Sequence, residues 1–497
     1  MLLTTSPPTV GIVGAGIAGL AASIRLAVRG YRVDVYEANA YPGGKLSSFA
    51  QDGYRFDAGP SLFTMPQYVD ELFELAGERA SDHFTYERLP TVCEYFWDDG
   101  TRLSAHAEPA AFAREAHEKL GVPEAAVLDM LAASHRKYDA TGRIFLEKSL
   151  HRADTWLNGK ALRAMLKIPG LDLFSSMHRT HERAVKHPKL VQLFDRFATY
   201  NGSNPYRASG ILTIIPHFEH GTGAYFPRGG MNAITQALHR LAERQGVRFH
   251  FNQAVERITV TNGKANGLIV GGKQRSFDRV VCNMDVFFAY RKLLPDQPAP
   301  KRTLQQERST SALIFYWGIG REFAELDLHN IFFSDNYQQE FAALNEGKMY
   351  EDPTVYVNIS SKLERGDAPA GKENWFVMIN APYNDGQDWD TLIAQTRERT
   401  IQKLNATLGV DLTNLIETEA ILDPRSIESK TQSHLGALYG TSSNSMSAAF
   451  MRHPNFSRRI QNLYFCGGSV HPGGGIPLSL LSAKIVDREM RRTPAIV

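Results

Sequence analysis

Val10-Gly11-Ile12-Val13-Gly14-Ala15-Gly16-Ile17-Ala18-Gly19 is the stretch that decides the fold. Val10 to Val13 is a short apolar run, as a strand buried on both faces requires. Three glycines follow in the spacing G-x-G-x-x-G. Leu20, Ile24, Leu26 and Ala27 then share one face of a helix, and Gly30 stands where a helix C-terminus needs a left-handed residue. Arg32-Val33-Asp34-Val35-Tyr36 alternates into a second strand ending at Glu37, 23 residues after Gly14. Strand, glycine turn, helix, strand and terminal acid together are a dinucleotide-binding unit. Gly14 permits the tight turn, Gly16 lets the backbone approach a pyrophosphate, and Gly19 lets helix and strand pack closely. The helix N-terminus offers free N–H groups and partial positive charge to phosphate. Glu37 accepts hydrogen bonds from ribose hydroxyls and disfavours a 2′-phosphate, which argues against NADP.

This unit alone does not separate NAD from FAD. Further along, Tyr41-Pro42-Gly43-Gly44-Lys45 places a glycine pair and a cation beside a second stretch of phosphate. Tyr54-Arg55-Phe56-Asp57-Ala58-Gly59-Pro60-Ser61 is a second compact glycine turn. Phe226-Pro227-Arg228-Gly229-Gly230-Met231 leads into a helix from Ala233 to Gln245, closed by Gly246. A strand, Val247 to His250, follows, and then Asn252-Gln253-Ala254-Val255-Glu256-Arg257-Ile258. At the far end, Asn462 to Ser469 reads as a strand ending in Gly467-Gly468. His471-Pro472-Gly473-Gly474-Gly475-Ile476-Pro477-Leu478 then opens a helix from Ser479. Glycines and a proline at a helix start make a close-approach surface with free N–H donors, suited to stabilising negative charge on a bound group.

These motifs together resemble the flavoprotein superfamily of amine oxidases, protoporphyrinogen oxidase and bacterial-type carotenoid desaturases. The resemblance covers essentially the whole chain. It implies non-covalent FAD along Gly43-Gly44-Lys45, although the family commonly has Arg where Lys45 stands, and Arg alone binds phosphate bidentately. It implies that Val255 presents its backbone to the adenine, and that Asp278 to Asp285 returns the chain to the cofactor. The ending is most similar to carotenoid desaturases, in the branch acting at the 3,4 position of acyclic or monocyclic carotenoids, with a 1-hydroxycarotenoid or a gamma-carotene-like substrate; the phytoene branch is the runner-up. On this reading Gly14, Gly16, Gly19, Glu37, Gly43, Gly44, Lys45, Gly59, Pro60, Val255, Gly467, Gly468, Gly474, Gly475 and Ile476 hold FAD. The implied chemistry is hydride transfer to the flavin N5 with loss of a proton from the neighbouring carbon, and a polyene spreads the positive charge. A strong protein base is not obligatory. His471, His220 and Glu219, with His217, are the candidate polar groups for a proton relay or for sensing a polar end-group. A bulky residue at Gly474 is expected to block the flavin rather than disturb the core. Two alternatives stay open: an amine or porphyrinogen oxidase, and a prenyl-lipid carrier without flavin, of the Rab GDP dissociation inhibitor type.

The rest of the sequence bounds the protein. It has 497 residues, 22% charged and 43% hydrophobic, and a net charge of +2 from 55 basic and 53 acidic residues. That is ordinary globular composition with no global field for nucleic acid. Cys93, Cys282 and Cys466 are too few and too scattered for a disulfide framework or zinc, so no metal is expected. No signal peptide or spanning apolar segment is read. The expected fold is α/β. A doubly wound FAD-binding domain (9–65, 227–300 and 441–497) is interleaved with a substrate domain (66–226 and 301–440). Residues 66–226 read as mostly helical and 301–440 as a mixed sheet. Residues 151–200 interleave nine Lys/Arg and four acids with Trp156, Leu162, Met165, Leu166, Ile168, Leu171, Leu173 and Phe174. A basic, apolar-faced segment of this kind lies on anionic lipid. The membrane-associating region is therefore set around 105–215, on the inner face of the cell membrane in the cytoplasm. The expected partners are a carotenoid, membrane lipid and a terminal acceptor such as oxygen or quinone.

Overall fold

The computed structural model describes residues 7–157, 168–445, 448 and 451–492. Its first layer grows from the quoted stretch. Thr9–Val13 is the centre of a five-stranded parallel sheet in the spatial order Arg248–His250, Arg32–Tyr36, Thr9–Val13, Arg279–Cys282, Leu463–Phe465. Val10 to Val13 pair with Val33 to Tyr36 on one side and with Arg279 to Cys282 on the other. One face of this sheet is covered by helices Ile17–Val28, Asn232–Arg244 and Ile476–Arg492, whose apolar sides form one core. The other face packs on a three-stranded antiparallel meander, Val255–Thr261, Lys264–Val270 and Lys273–Ser276. Being buried on both sides, the strands read as continuous Val and Ile runs rather than alternating ones.

From Thr9–Val13 the chain moves outward to Arg32–Tyr36, whereas Arg279–Cys282 and Leu463–Phe465 add on the opposite side. The gap between Thr9–Val13 and Arg279–Cys282 is thus a topological switch point. Open parallel sheets bind ligands outside the carboxyl ends of the strands at such a point.

The second layer is a seven-stranded sheet in the order Ile416–Leu422, Ser311–Ile319, Glu373–Ala381, Val355–Asn358, His329–Phe332, Thr91–Phe96, Arg102–His106. All pairs are antiparallel except His329–Phe332 with Thr91–Phe96. Side chains alternate faces with period two. Phe315, Trp317, Val377, Ile379, Val355 and Val357 pack beneath helix Trp389–Leu408. Their neighbours Ile314, Tyr316, Phe376, Met378 and Tyr356 point the other way, toward the parallel-sheet domain. The hairpin Ser48–Gln51/Tyr54–Asp57, grouped by sequence with the dinucleotide domain, packs Tyr54 and Phe56 onto this sheet.

The mostly helical reading of 66–226 is corrected at its start. Thr91–Phe96 and Arg102–His106 are a hairpin that extends the seven-stranded sheet. Its turn signal, Asp98-Asp99-Gly100, is plain, but strand Thr91–Phe96 carries Glu94 inside it and so lacks clean alternation. Helices follow: Pro109–Leu120, Glu124–Phe145, Met177–Val185 and Pro188–Asp195. The first starts at a Glu108 side chain that accepts from the amides of Ala110 and Ala111, and ends at Gly121 in the left-handed conformation. Buried Asp195 ties the last two together by accepting from His178 and His181 at 2.6 and 2.7 Å.

Of the basic segment 151–200, Lys160, Leu162, Arg163, Met165, Leu166 and Lys167 lie outside the described residues. Arg152 pairs with Glu489, Lys189 with Asp99 and Arg196 with Glu219. Arg179, Arg183 and Lys186 are exposed, and Leu157 and Phe174 are 83% and 89% exposed. No helix among the described residues is long and apolar enough to cross a membrane.

Candidate cofactor and substrate site

The glycine segments converge at the switch point. Gly16 and Gly43 form an isolated parallel bridge, and the Gly43 amide donates to the Ala15 carbonyl at 2.8 Å. The two turns that the sequence assigns to phosphate are therefore one continuous surface. Helix Ile17–Val28 begins at Gly16 with no side-chain cap, leaving its first amides free for an anion. A Cβ on Gly19 would stand 2.2 Å from the Gly14 carbonyl oxygen, which fixes its role in close packing. Glu37 is held by the amides of Ala15 (2.8 Å) and Asn39 (2.9 Å). The amide of Gln253 donates to the Glu37 carbonyl at 2.9 Å, so the segment leading to Val255 runs beside the ribose acid.

Asn283 belongs to the segment from Asp278 to Asp285 expected beside the cofactor, although sequence reasoning does not single it out. It follows strand Arg279–Cys282 directly at the switch point, and its amide donates to the Val13 carbonyl at 2.8 Å. A Cβ on Gly16 would come within 2.6 Å of Asn283 Nδ2, and one on Gly467 within 2.8 Å of Asn283 Oδ1. One carboxamide thus spans the N-terminal and C-terminal glycine motifs. The available signal was position: the first polar residue after an apolar strand facing the fingerprint.

Gly59 packs so tightly on the backbone of Lys45 that a Cβ would meet the Lys45 carbonyl oxygen at 1.9 Å. The Lys45 ammonium donates to the Leu438 carbonyl at 2.9 Å, and burial pulls its pKa down to about 8 against the opposing pull of Asp285. In the structure its nearest named partner is thus a backbone oxygen of the 437–439 segment. Gly474 is corrected: a Cβ there would lie 2.9 Å from the Tyr439 backbone, so bulk at 474 disturbs packing. Gly475, at φ +99°, faces open space, with nothing within 4 Å of a Cβ. That opening lies at the start of helix Ile476–Arg492.

Between these loops and the seven-stranded sheet is a cavity of about 720 Å³, within the roughly 300–1,000 Å³ usual for organic ligands. Gly44, Lys45, Gly59, Pro60, Gly475 and Ile476 line one side. Ile314, Tyr316, Phe376, Met378, Tyr356 and Ile331 line the other. Glu219 and Arg196 also line it; Arg196 donates to Glu219 at 3.2 Å and to the Tyr95 hydroxyl at 2.7 Å. Burial raises the Glu219 pKa, and Arg196 opposes that shift. His220 is elsewhere: its ring stacks on Phe112 at 4.9 Å, and burial lowers its pKa to about 3. His471 also lies outside the lining residues. Its Nε2 is 2.9 Å from the Lys148 carbonyl and so carries the proton, and burial lowers its pKa to about 3. His217 is buried on the same single π-turn, His217–Gly221, as Glu219 and His220.

An uncapped helix at a switch point, a bridged pair of glycine turns, an anchored acid and an open glycine beside a large cavity suit a dinucleotide with a bulky ring, as FAD has. The chain belongs to the family described as flavin containing amine oxidoreductase, whose model matches residues 17–486. It is an FAD-dependent oxidoreductase. Among curated proteins it is 50% identical to a 1-hydroxycarotenoid 3,4-desaturase of Flavobacterium sp. (strain P99-3), over 95% of this chain and 97% of that one. It is 29% identical to a phytoene desaturase of Phycomyces blakesleeanus, over 97% of this chain and 85% of that one. Among solved structures, wild-type putrescine oxidase bound to putrescine superposes with a TM-score of 0.63 at 14% identity, covering 98% of this chain and 100% of that one.

Proposed function

We propose that the protein introduces a carbon–carbon double bond at the 3,4 position of a 1-hydroxylated carotenoid. The observation that carries this reading is 50% identity over nearly the full length to a desaturase of that specificity. The runner-up, phytoene desaturation, is supported by relatives at 29% and 30% identity. When bound, FAD supplies the two-electron acceptor that no side chain provides.

The chain's own residues bind, orient and exclude water. Uncapped amides at Ile17–Gly19, Glu37 and the Gly43–Lys45 turn would hold the dinucleotide. The helix start at Ile476 and the open face at Gly475 would receive its ring. The apolar face of Ile314, Tyr316, Phe376 and Met378 orients a long hydrocarbon against it, worth a large entropic saving when the reacting bond is held in line. Glu219 lines the cavity, and burial raises its pKa, which favours its taking up a proton. FAD is held non-covalently: Cys466 is fully buried and burial pushes its thiol far up, so no thiolate stands ready to attack. Acid precipitation of the yellow protein is expected to release all flavin to the supernatant.

The substrate is insoluble in water, so the protein collects it from lipid as a peripheral protein on the inner face of the cell membrane. Exposed Leu157 and Phe174, with exposed Arg179, Arg183 and Lys186, support that placement. The electrons then pass to oxygen or a quinone. Pigment analysis decides the reaction. Cells making phytoene and cells making a 1-hydroxylated acyclic carotenoid are each given the protein. Conversion of the second substrate and not the first is expected. Efficient phytoene conversion with no action on the hydroxylated substrate overturns the 3,4 assignment.

A further inference from the structure

In the proposed substrate the hydroxyl on C1 is separated from the reacting C3–C4 bond by a single methylene. Whatever reads that hydroxyl must therefore sit on the cofactor side of the cavity. Ser61, next to Gly59–Pro60, is half-buried and lines it.

The polarity of the hydrogen bonds behind Ser61 can be worked out link by link. Asn358 Nδ2 donates to the Leu328 carbonyl at 3.0 Å, which fixes the orientation of that amide. The hydrogens of the same Nδ2 face His329 Nδ1 from 3.2 Å and keep a proton off it, so the ring proton is on Nε2 and the single Nδ1 lone pair is open to one donor. His329 is buried, and burial pulls its pKa down to about 3, so the ring is neutral. The Tyr356 hydroxyl lies 2.7 Å from His329 Nδ1 and has to donate to it. Its oxygen is then free only to accept, and Ser61 Oγ, 2.7 Å away, has to donate. The only proton on Ser61 Oγ is thereby committed, and what remains is a fixed pair of acceptor sites.

We propose that Ser61, polarised by Tyr356, His329 and Asn358, is the specificity-determining residue that selects a substrate carrying a free hydroxyl, a hydrogen-bond donor, over the corresponding ether. This rests on the reading of the substrate given above. An alcohol donates to Ser61 Oγ. A methyl ether places a lone pair against a lone pair.

The test uses FAD-loaded full-length protein with three substrates: a 1-hydroxylated acyclic carotenoid, its methyl ether, and the analogue without oxygen. Flavin absorbance serves as the folding control, and kcat and KM are read separately. Wild-type protein prefers the alcohol. Ser61→Ala lowers the alcohol-to-ether ratio of kcat/KM about 5- to 10-fold, through the alcohol and chiefly in KM. Tyr356→Phe frees the Ser61 proton to turn toward the ligand, and the ratio falls by a similar factor through faster ether turnover. A steric rejection of the ether gives no such gain. Equal loss on all three substrates in Ser61→Ala, or a Tyr356→Phe protein that holds flavin with the ratio unchanged, overturns the proposal while leaving the desaturase reading intact. Wild-type protein that converts none of the three overturns the desaturase reading itself.

Discussion

Asn283 and Lys45 show how much chemistry rests on single side chains at the junction of the two glycine motifs. A valine at Gly16 would thrust its branches at the Asn283 amide, 2.6 Å from the new Cβ. That amide in turn borders Gly467. Gly16→Val is expected to yield folded protein without flavin, read as soluble, colourless material with an unchanged far-ultraviolet dichroism spectrum. Lys45 makes a different prediction. Its folded pKa, about 8, lies below the ordinary lysine value. Between about pH 8 and 10.5 the unfolded chain therefore binds a proton that the folded one does not, and stability rises with pH through that window. Lys45→Met removes this dependence. The difference in thermal midpoint, variant minus wild-type apoprotein, is expected to fall as pH goes from 7 to 10. A constant difference would mean that Lys45 is not desolvated. Fingerprint glycines and Glu37 were legible in sequence because their spacing is local. Asn283, Ser61 and Tyr356 were not, because their roles come largely from contacts between segments far apart in the chain, which no periodicity encodes.

At the scale of elements, the buried ion pair between Arg196 and the π-turn bearing Glu219 deserves a test of its own. Arg196 also stacks on Phe197, its guanidinium carbon 4.5 Å from the ring centre. Glu219→Leu leaves a buried guanidinium with no carboxylate, and a loss of about 3–5 kcal/mol is expected, read from the urea midpoint. Adding Arg196→Met should recover part of it, since the pair as a whole is less valuable than either half is costly to orphan. The strands of the seven-stranded sheet show where sequence reading succeeds and fails. Ser311–Ile319 and Glu373–Ala381 are long, apolar and aromatic, and were readable. Thr91–Phe96 and His329–Phe332 are short, with Glu94 and His329 inside them; they become strands because neighbours already in place offer them a ladder. The helix closed by Gly246 was readable almost to the residue, since that glycine sits in the left-handed conformation that ends a helix.

For the molecule as a whole, the two domains share a cavity that neither encloses alone, and its largely apolar lining suits a hydrophobic substrate. Flotation with vesicles is expected to show binding that strengthens with anionic lipid. It should weaken as salt shortens the Debye length from about 10 Å at 0.1 M to about 3 Å at 1 M. Replacing Leu157 and Phe174 by serine should lower binding at both salt concentrations, because those side chains act through burial in lipid rather than charge. No flotation at low salt would remove the membrane assignment. The class of fold was legible because both chain ends carry glycine motifs. How the intervening segments divide between the domains was legible only in outline, since the 48–57 hairpin and the 91–106 hairpin take their places from partners distant in sequence.

The strand Leu463–Phe465 and the glycines after it are the last parts of the cofactor site to be synthesised. At about 5–20 residues per second, a ribosome reaches them only after it has made the phosphate-binding turn and the whole substrate domain. The parallel sheet therefore waits with one edge unmade and its phosphate-binding turn exposed while the whole substrate domain emerges. Flavin capture has to wait until this strand and its glycines are in place. In a cell short of flavin, chains would accumulate at this stage, making cofactor supply, rather than translation, the step that sets how much active protein is made.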